Sequence, residues 1–238
     1  MTMPLLLHHA EAVLTLQGPN GPRAGAAMAE LSILRNASLV TAADGTIAWV
    51  GPADALPAEH RSLESIDCRG KTLMPALVDS HTHLVWGGDR RDELEMRLAG
   101  ADYEAIFAAG GGILSSVKQT RAATDDELYA QSLARIRRMR RSGTTTFEIK
   151  SGYGLDLETE LRQLRTARRL AEEGGFRIRT TCLAAHAVPA EARAGEAERA
   201  AFVERICQEI LPAVAKAGVA DYCDAFCDRG AFTPEESR

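Results

Sequence analysis

Met74-Pro-Ala-Leu-Val-Asp-Ser-His-Thr-His-Leu-Val-Trp-Gly-Gly-Asp-Arg-Arg91 is the stretch whose reading decides the fold. Its first half is an apolar strand and its second half turns polar. His81 and His83 stand two residues apart at the change. In a strand, residues i and i+2 share a face, so both imidazoles aim to the same side. That place is where a parallel strand meets its loop, and ligands of α/β folds collect at such ends. His-x-His there is a reasonable metal half-site. Two histidines in a polar loop is the plain alternative, and the stretch alone leaves both open.

Downstream, the chain alternates between strand and helix patterns. Thr124-Asp125-Asp126-Glu127 has the form of a capping box. The helix it opens carries Tyr129, Leu133, Ile136 and Met139 on one face. Arg135, Arg137, Arg138, Arg140 and Arg141 crowd its last turns and read as a solvated end that complements the helix dipole, with nucleic-acid binding as the weaker reading. Gly143 stops that helix, and the β-branched run Thr144 to Ile149 reads as a strand ending in Lys150-Ser151-Gly152-Tyr153-Gly154. Leu157, Leu161, Leu164 and Leu170 mark an amphipathic helix closed by Gly174-Gly175. Phe176 to Leu183 is the next strand, leading into His186. Phe202, Ile206, Ile210 and Val214 mark a further helix, which Pro212 should kink or end. Val219 to Cys227 is a fourth strand, and Thr233-Pro234-Glu235-Glu236 starts another helix.

Between the first and second strands, Glu93 to Phe107 reads as helical. Gly110-Gly111-Gly112 breaks it, as a hinge rather than an anion cradle, and Ile113 to Thr120 resumes. Upstream, residues 1–72 read as a small β-rich segment. Leu5 to Leu7 and Ala12 to Leu16 are short apolar runs, and Gln17 to Pro22 is a turn-rich break. Leu39-Val40-Thr41 and Thr46 to Val50 flank Asp44-Gly45, a hairpin signal. Pro52 to His60 is a loop or short helical turn.

Composition excludes several classes. The chain has 238 residues, 45% apolar and 26% charged, as in ordinary soluble globular proteins. A net charge of -5 gives no basic footprint for nucleic acid. No apolar run approaches the roughly 18–20 residues of a membrane span. Leu5-Leu6-Leu7 lacks the basic flank and the length of a signal peptide. Five scattered cysteines suit a reduced, cytoplasmic protein better than a disulfide scaffold. Cys223 and Cys227, on one face if their segment is a strand, read as buried thiols rather than ligands.

The four strands fall at about 74–83, 144–150, 176–186 and 219–227. Polar groups sit at the ends of the first three: His81 and His83, then Lys150 and Tyr153, then His186. Successive strand ends that carry chemistry are the arrangement of a (β/α) barrel. A closed barrel needs eight strands and about 250 residues. The expectation is therefore the first half of a barrel over 73–238, in a fragment or a chain that needs a partner. Catalytic zinc usually takes three protein ligands, and His81 and His83 supply two. His186 is either a third or a group that faces substrate. His8, His9 and His60 lie away from the strand ends.

Together these motifs resemble the imidazolonepropionase family of the amidohydrolase superfamily. The stretches that carry the resemblance are D-S-H-T-H-L-V-W-G-G-D-R at 79–90, G-G-G-I-L-S-S-V-K-Q-T-R-A-A at 110–123, G-T-T-T-F-E-I-K-S-G-Y-G-L at 143–155, A-A-H-A-V-P at 184–189 and the closing F-C-D-R-G-A-F-T. The resemblance implies a (β/α)8, TIM-like amidohydrolase barrel, with residues 1–72 as half of a composite β-sandwich. It implies metal-dependent hydrolysis of 4-imidazolone-5-propanoate to N-formimidoyl-L-glutamate in histidine degradation. Carried over by motif, His81 and His83 would bind one zinc or iron ion. Arg90 would hold the substrate's propanoate, and Tyr153 and His186 would contact the imidazolone ring or the product. Lys150 would be structural or shape the pocket. Family members are longer, with later strands that carry a third histidine ligand, a Glu and an Asp, so the general base is expected outside this chain. The resemblance leaves a homodimer open. The competing readings are an amidohydrolase or deaminase acting on another ring, and an inactive truncated polypeptide.

Overall fold

The computed structural model describes residues 3–102, 105 and 111–238. They form two compact units, Met1–Pro75 and Ala76–Arg238.

The first unit is a single mixed sheet of β1 (Leu5–Leu14), β2 (Ile33–Thr41), β3 (Ile47–Pro52), β4 (Glu64–Asp67) and β5 (Thr72–Leu73), in the order β3-β2-β1-β4 with β5 also on β1. The two apolar runs expected at its start are one strand. The register between β1 and β2 shifts between Leu7 and Ala10, and His9 takes a φ of 55°. This bulge absorbs the polar His8-His9 pair without ending the strand. The Asp-Gly hairpin is present: Gly45 has a φ of 84°, and Asp44 accepts hydrogen bonds from the Thr46 amide and hydroxyl. Ala10, Val13, Ala37 and Cys68 form the buried centre of this unit. A sandwich has a second sheet, and none occurs in this unit among the described residues.

The second unit is built on four parallel strands, β6 (Leu77–Thr82), β7 (Thr144–Lys150), β8 (Arg177–Ala185) and β9 (Tyr222–Ala225), in the order β6-β7-β8-β9. Each strand pairs with the next in sequence. A doubly wound sheet would reverse direction at a switch point, and this one does not. Sequential winding is the strand order of a (β/α) barrel.

Alternation along β7 separates the two faces. Phe147 and Ile149 are wholly buried with Leu128, Ile136, Ala167 and Leu170 of the helices Asp125–Arg141 and Leu157–Gly174. Their burial stabilises the sheet by roughly 1.5–3 kcal/mol each. Glu148 and Lys150 point the other way. On β8, Cys182 and Ala184 pack against Leu164, Phe202, Ile206, Ile210 and Val214. The capping box at Thr124 forms as its sequence implies, and Gly175 closes the next helix in the left-handed region.

Several details depart from expectation. The helix that follows His83 runs over Arg91–Leu98 only. The remainder of the helical region expected to Phe107, and Gly110 of the triple glycine, fall largely outside the described residues. As expected, the regular part of the helix with Phe202 ends before Pro212, at Arg205. A π-helical segment, Ile206–Ile210, precedes Pro212, because proline offers no N–H to the carbonyl four residues back. The fourth strand has four residues rather than nine. Cys223 lies on it and Cys227 beyond its end, and both are exposed and not buried thiols, because the shortened strand carries no packed layer of described residues over them. Arg137, Arg138, Arg140 and Arg141 are solvated as expected, but Arg135 is not. It lies 3.9 Å over the Trp86 ring and donates to the carbonyls of Leu84, Trp86 and Gly88. Arg135 thereby pins the segment that leaves β6.

Candidate active site

Parallel strands deliver their C-terminal ends to one side of the sheet, and five rings gather there. His81 ends β6 with His83 just beyond it, and their ring centroids are 5.7 Å apart. Tyr153 follows β7, 5.1 Å from the His83 ring. His186 follows β8 and stacks on His83 at 4.5 Å, with the ring planes 9° apart. Tyr153 and His186 are 5.3 Å apart. Phe226, directly after β9, closes the group at 6.0 Å from His186. The sequence reading named four of these five residues and missed Phe226.

The rings are held by the backbone. His83 Nδ1 lies 3.2 Å from the Ser151 carbonyl oxygen, and His186 Nδ1 lies 2.9 Å from the Gly152 carbonyl oxygen. A carbonyl only accepts, so each Nδ1 carries the proton and donates it. Each Nε2 is left with a lone pair. That is the form in which histidine binds a metal or accepts a hydrogen bond. Burial, reinforced by His186 and His81, pushes the His83 pKa down to about 3, against the pull of its bond to Ser151. Burial also lowers His186. Burial raises the Tyr153 phenol, with Arg90 opposing, so the phenol stays protonated as a donor.

Arg90 precedes the helix Arg91–Leu98. Its Nε donates to Glu93 Oε1 at 2.8 Å, and the same carboxylate oxygen accepts from the Gly112 amide at 3.0 Å. The guanidinium is thus oriented by a buried acid.

Lys150 is embedded in a polar network on the sheet face opposite the helices. Its Nζ is 3.0 Å from Glu148 Oε1 and 2.9 Å from Asp224 Oδ2, and the Thr181 hydroxyl donates to Glu148. Burial works against the ammonium, but the two carboxylates outweigh it and raise its pKa. Glu148 Oε2 is buried and lacks a hydrogen-bond partner among the described residues. The sequence reading missed Glu148 and Asp224, although Glu148-x-Lys150 has the spacing that places both on one face.

Another donor cluster, His8, His9 and Asp67, lies in the first unit. Its carboxylate is already engaged by the Arg69 side chain and amide.

No protein-family model matches the chain. Among curated proteins it is 48% identical over 206 residues to an imidazolonepropionase of Brucella anthropi, covering 87% of this chain and 50% of that protein. It is 50% identical over 210 residues to the imidazolonepropionase of Mesorhizobium japonicum, covering 88% and 50%. It is 52% identical over 200 residues to that of Cupriavidus pinatubonensis, covering 84% and 46%. The chain is a relative of the imidazolonepropionases. It spans about half the length of the curated imidazolonepropionases it matches. Among solved structures, a triazine hydrolase from Arthrobacter aurescens matches with a TM-score of 0.55 at 17% identity, over 98% of this chain and 48% of that one. An atrazine chlorohydrolase from the same organism, complexed with zinc, gives 0.53 at 17%, with the same coverage. These hydrolases share the fold of this chain, whose four sequentially wound parallel strands are compatible with part of a (β/α) barrel.

Proposed function

We propose that the chain supplies metal and substrate groups for an imidazolonepropionase reaction, the hydrolysis of the cyclic amide of 4-imidazolone-5-propanoate to N-formimidoyl-L-glutamate. The observation that carries this reading is the convergence of His81, His83, Tyr153 and His186 on successive parallel strand ends, in a chain about half identical to imidazolonepropionases.

His81 and His83 would hold one zinc or iron ion. The chemistry of His83 fits this role: it is neutral, with Nδ1 bonded to a carbonyl and the Nε2 lone pair left for a ligand. Two imidazoles are fewer than the usual three protein ligands, so the full coordination sphere draws on a further group. Bound there, the ion supplies Lewis-acid activation of water near neutral pH. Arg90 would take the propanoate, since a guanidinium fork matches a carboxylate bidentately. The Tyr153 phenol would donate to the ring oxygen as charge develops on it. His186 would accept from a ring N–H through its bare Nε2. In the net reaction, the water oxygen bonds to the ring carbonyl carbon, the C–N bond breaks, and the released nitrogen takes a proton. The first unit would be one layer of a composite sandwich. No helix among the described residues is long and apolar enough to cross a membrane, and the cysteines are free, in line with a cytoplasmic setting.

Metal analysis of the purified chain, with turnover of 4-imidazolone-5-propanoate, tests the reading. About one zinc or iron per chain is expected. It should be lost with turnover in His81→Ala and His83→Ala. A metal-loaded chain that opens a different ring and leaves this one intact would overturn the substrate assignment. Metal retained in the double variant would overturn the site.

A further inference from the structure

The helix Leu157–Gly174 carries two wholly buried polar residues one turn apart, Glu160 and Gln163. Burying a carboxylate among apolar neighbours is costly unless donors surround it. The loop after β7 provides them. The amide of Gly152 donates to Glu160 Oε2 at 3.0 Å, and those of Gly154 and Leu155 donate to Oε1 at 2.9 and 2.8 Å. Gln163 Oε1 accepts from the Tyr153 amide at 3.2 Å, and its Nε2 donates to the Val85 carbonyl at 2.7 Å.

Peptide geometry turns these contacts outward. In a trans peptide the C=O and the N–H point in opposite directions. The peptide that joins Ser151 to Gly152 presents its N–H to Glu160 and its C=O to His83 Nδ1. The next peptide, from Gly152 to Tyr153, presents its N–H to Gln163 and its C=O to His186 Nδ1. Two buried side chains therefore grip one edge of two consecutive peptide planes, and the two histidines hang from the other edge.

We propose that Glu160 and Gln163 are positioning residues: Glu160 fixes the orientation and tautomer of His83, and Gln163 fixes those of His186. Their value for catalysis rests on the imidazolonepropionase reading above, but the coupling itself does not. A further consequence is that each histidine has its own support. Loss of Glu160 acts first on the group that faces the metal, and loss of Gln163 acts first on the group that faces substrate.

The test is long-range 1H–15N correlation NMR on the full chain labelled at histidine, at pH 8, where both rings are neutral. The wild-type chain should show His83 and His186 as Nδ1–H tautomers. Glu160→Gln places an amide NH2 against a loop N–H and should convert His83 to a tautomer mixture. Gln163→Met should do the same to His186. The exposed Glu158→Gln on the same helix should change neither. Zinc affinity should fall about 10–100-fold in Glu160→Gln, the usual effect of losing such support. Glu160→Asp, which keeps the charge but shortens the side chain, gives the same readout if Glu160→Gln does not fold. An Nε2–H tautomer on either ring in the wild type would overturn the proposal, as would variants that keep wild-type tautomers and zinc affinity. Turnover enters none of these measurements, so failure of the proposed reaction would leave the result standing.

Discussion

Gly152 and His186 touch so closely that no side chain fits between them. A Cβ built on Gly152 would lie 2.8 Å from His186 Cβ and 2.8 Å from the Leu183 carbonyl oxygen. The φ of Gly152, 105°, is one that other residues rarely adopt. The two demands coincide because the loop must turn its N–H groups inward to Glu160 and its carbonyls outward to the histidines.

Gly152→Ala should therefore be among the more damaging single-methyl additions in the chain. It forces an unfavourable φ and pushes His186 off its stack with His83. A loss of about 2 kcal/mol or more is expected from backbone strain and overpacking together. Urea denaturation measures it, and the histidine spectrum should show His186 displaced. A variant as stable as wild type with an unmoved His186 would contradict the loop geometry.

Arg90 is oriented by Glu93, which makes its fork directional. Arg90→Lys keeps the charge but loses both the fork and the paired bond to Glu93. Under the proposed function, the binding of a propanoate-bearing ligand should weaken by roughly 10–100-fold, the equivalent of about 1.5–3 kcal/mol for a charge-assisted bond. A ligand that lacks the carboxylate should bind both forms equally. Calorimetry with the matched pair decides the matter, and equal losses for both ligands would remove Arg90 from carboxylate recognition.

Much of this architecture is legible in the residues themselves. The apolar stretch before His81 and the β-branched run Thr144 to Lys150 announce two strands, and Thr124 with Glu127 announces a helix start. Local chemistry decides each of these. The supports of the site are less visible because they are polar residues in an otherwise apolar stripe. Glu160 and Gln163 share a helical face with Leu164 and Ala167, and by periodicity alone they look like interruptions. Their partners are backbone amides, which leave no mark in sequence. The bulge at His8-His9 is an adjustment of the same kind, whereas the break before Pro212 is announced by the proline itself. The exposure of Cys223 and Cys227 follows from how short β9 is and what packs on it, which the segment itself does not announce.

Lys150 neutralises two carboxylates that would otherwise face each other across the sheet. Lys150→Met leaves Glu148, whose Oε2 already lacks a partner, without its cation. Removing one member of a buried pair costs about 3–5 kcal/mol, reduced here because Asp224 is half exposed, to about 2–3 kcal/mol. Lys150→Met combined with Glu148→Gln should recover part of that loss, because no uncompensated charge remains. Denaturation midpoints of the single and double variants check the sign. A double variant less stable than Lys150→Met would show that Glu148 stabilises through something other than the ammonium.

The end of the chain carries a titratable clasp. Glu236 caps the helix Pro234–Ser237 from within and also takes both Arg199 Nε at 2.6 Å and an Arg199 terminal nitrogen at 2.7 Å. These bonds, with Arg199 foremost, hold the Glu236 pKa down to about 2. A carboxylate whose folded pKa is depressed stabilises the fold above its unfolded pKa of about 4.3. That contribution fades as the pH falls through the folded value near 2. The pair lies near the surface, so its screened worth is about 1 kcal/mol. Glu236→Gln should thus be less stable than wild type at pH 7 by that amount, and the gap should narrow between pH 4 and pH 2. Urea titrations of both chains at pH 7, 4 and 2.5 read it directly. A gap that stays constant over this range would mean that Glu236 acts by packing or helix capping, and that its charge contributes nothing.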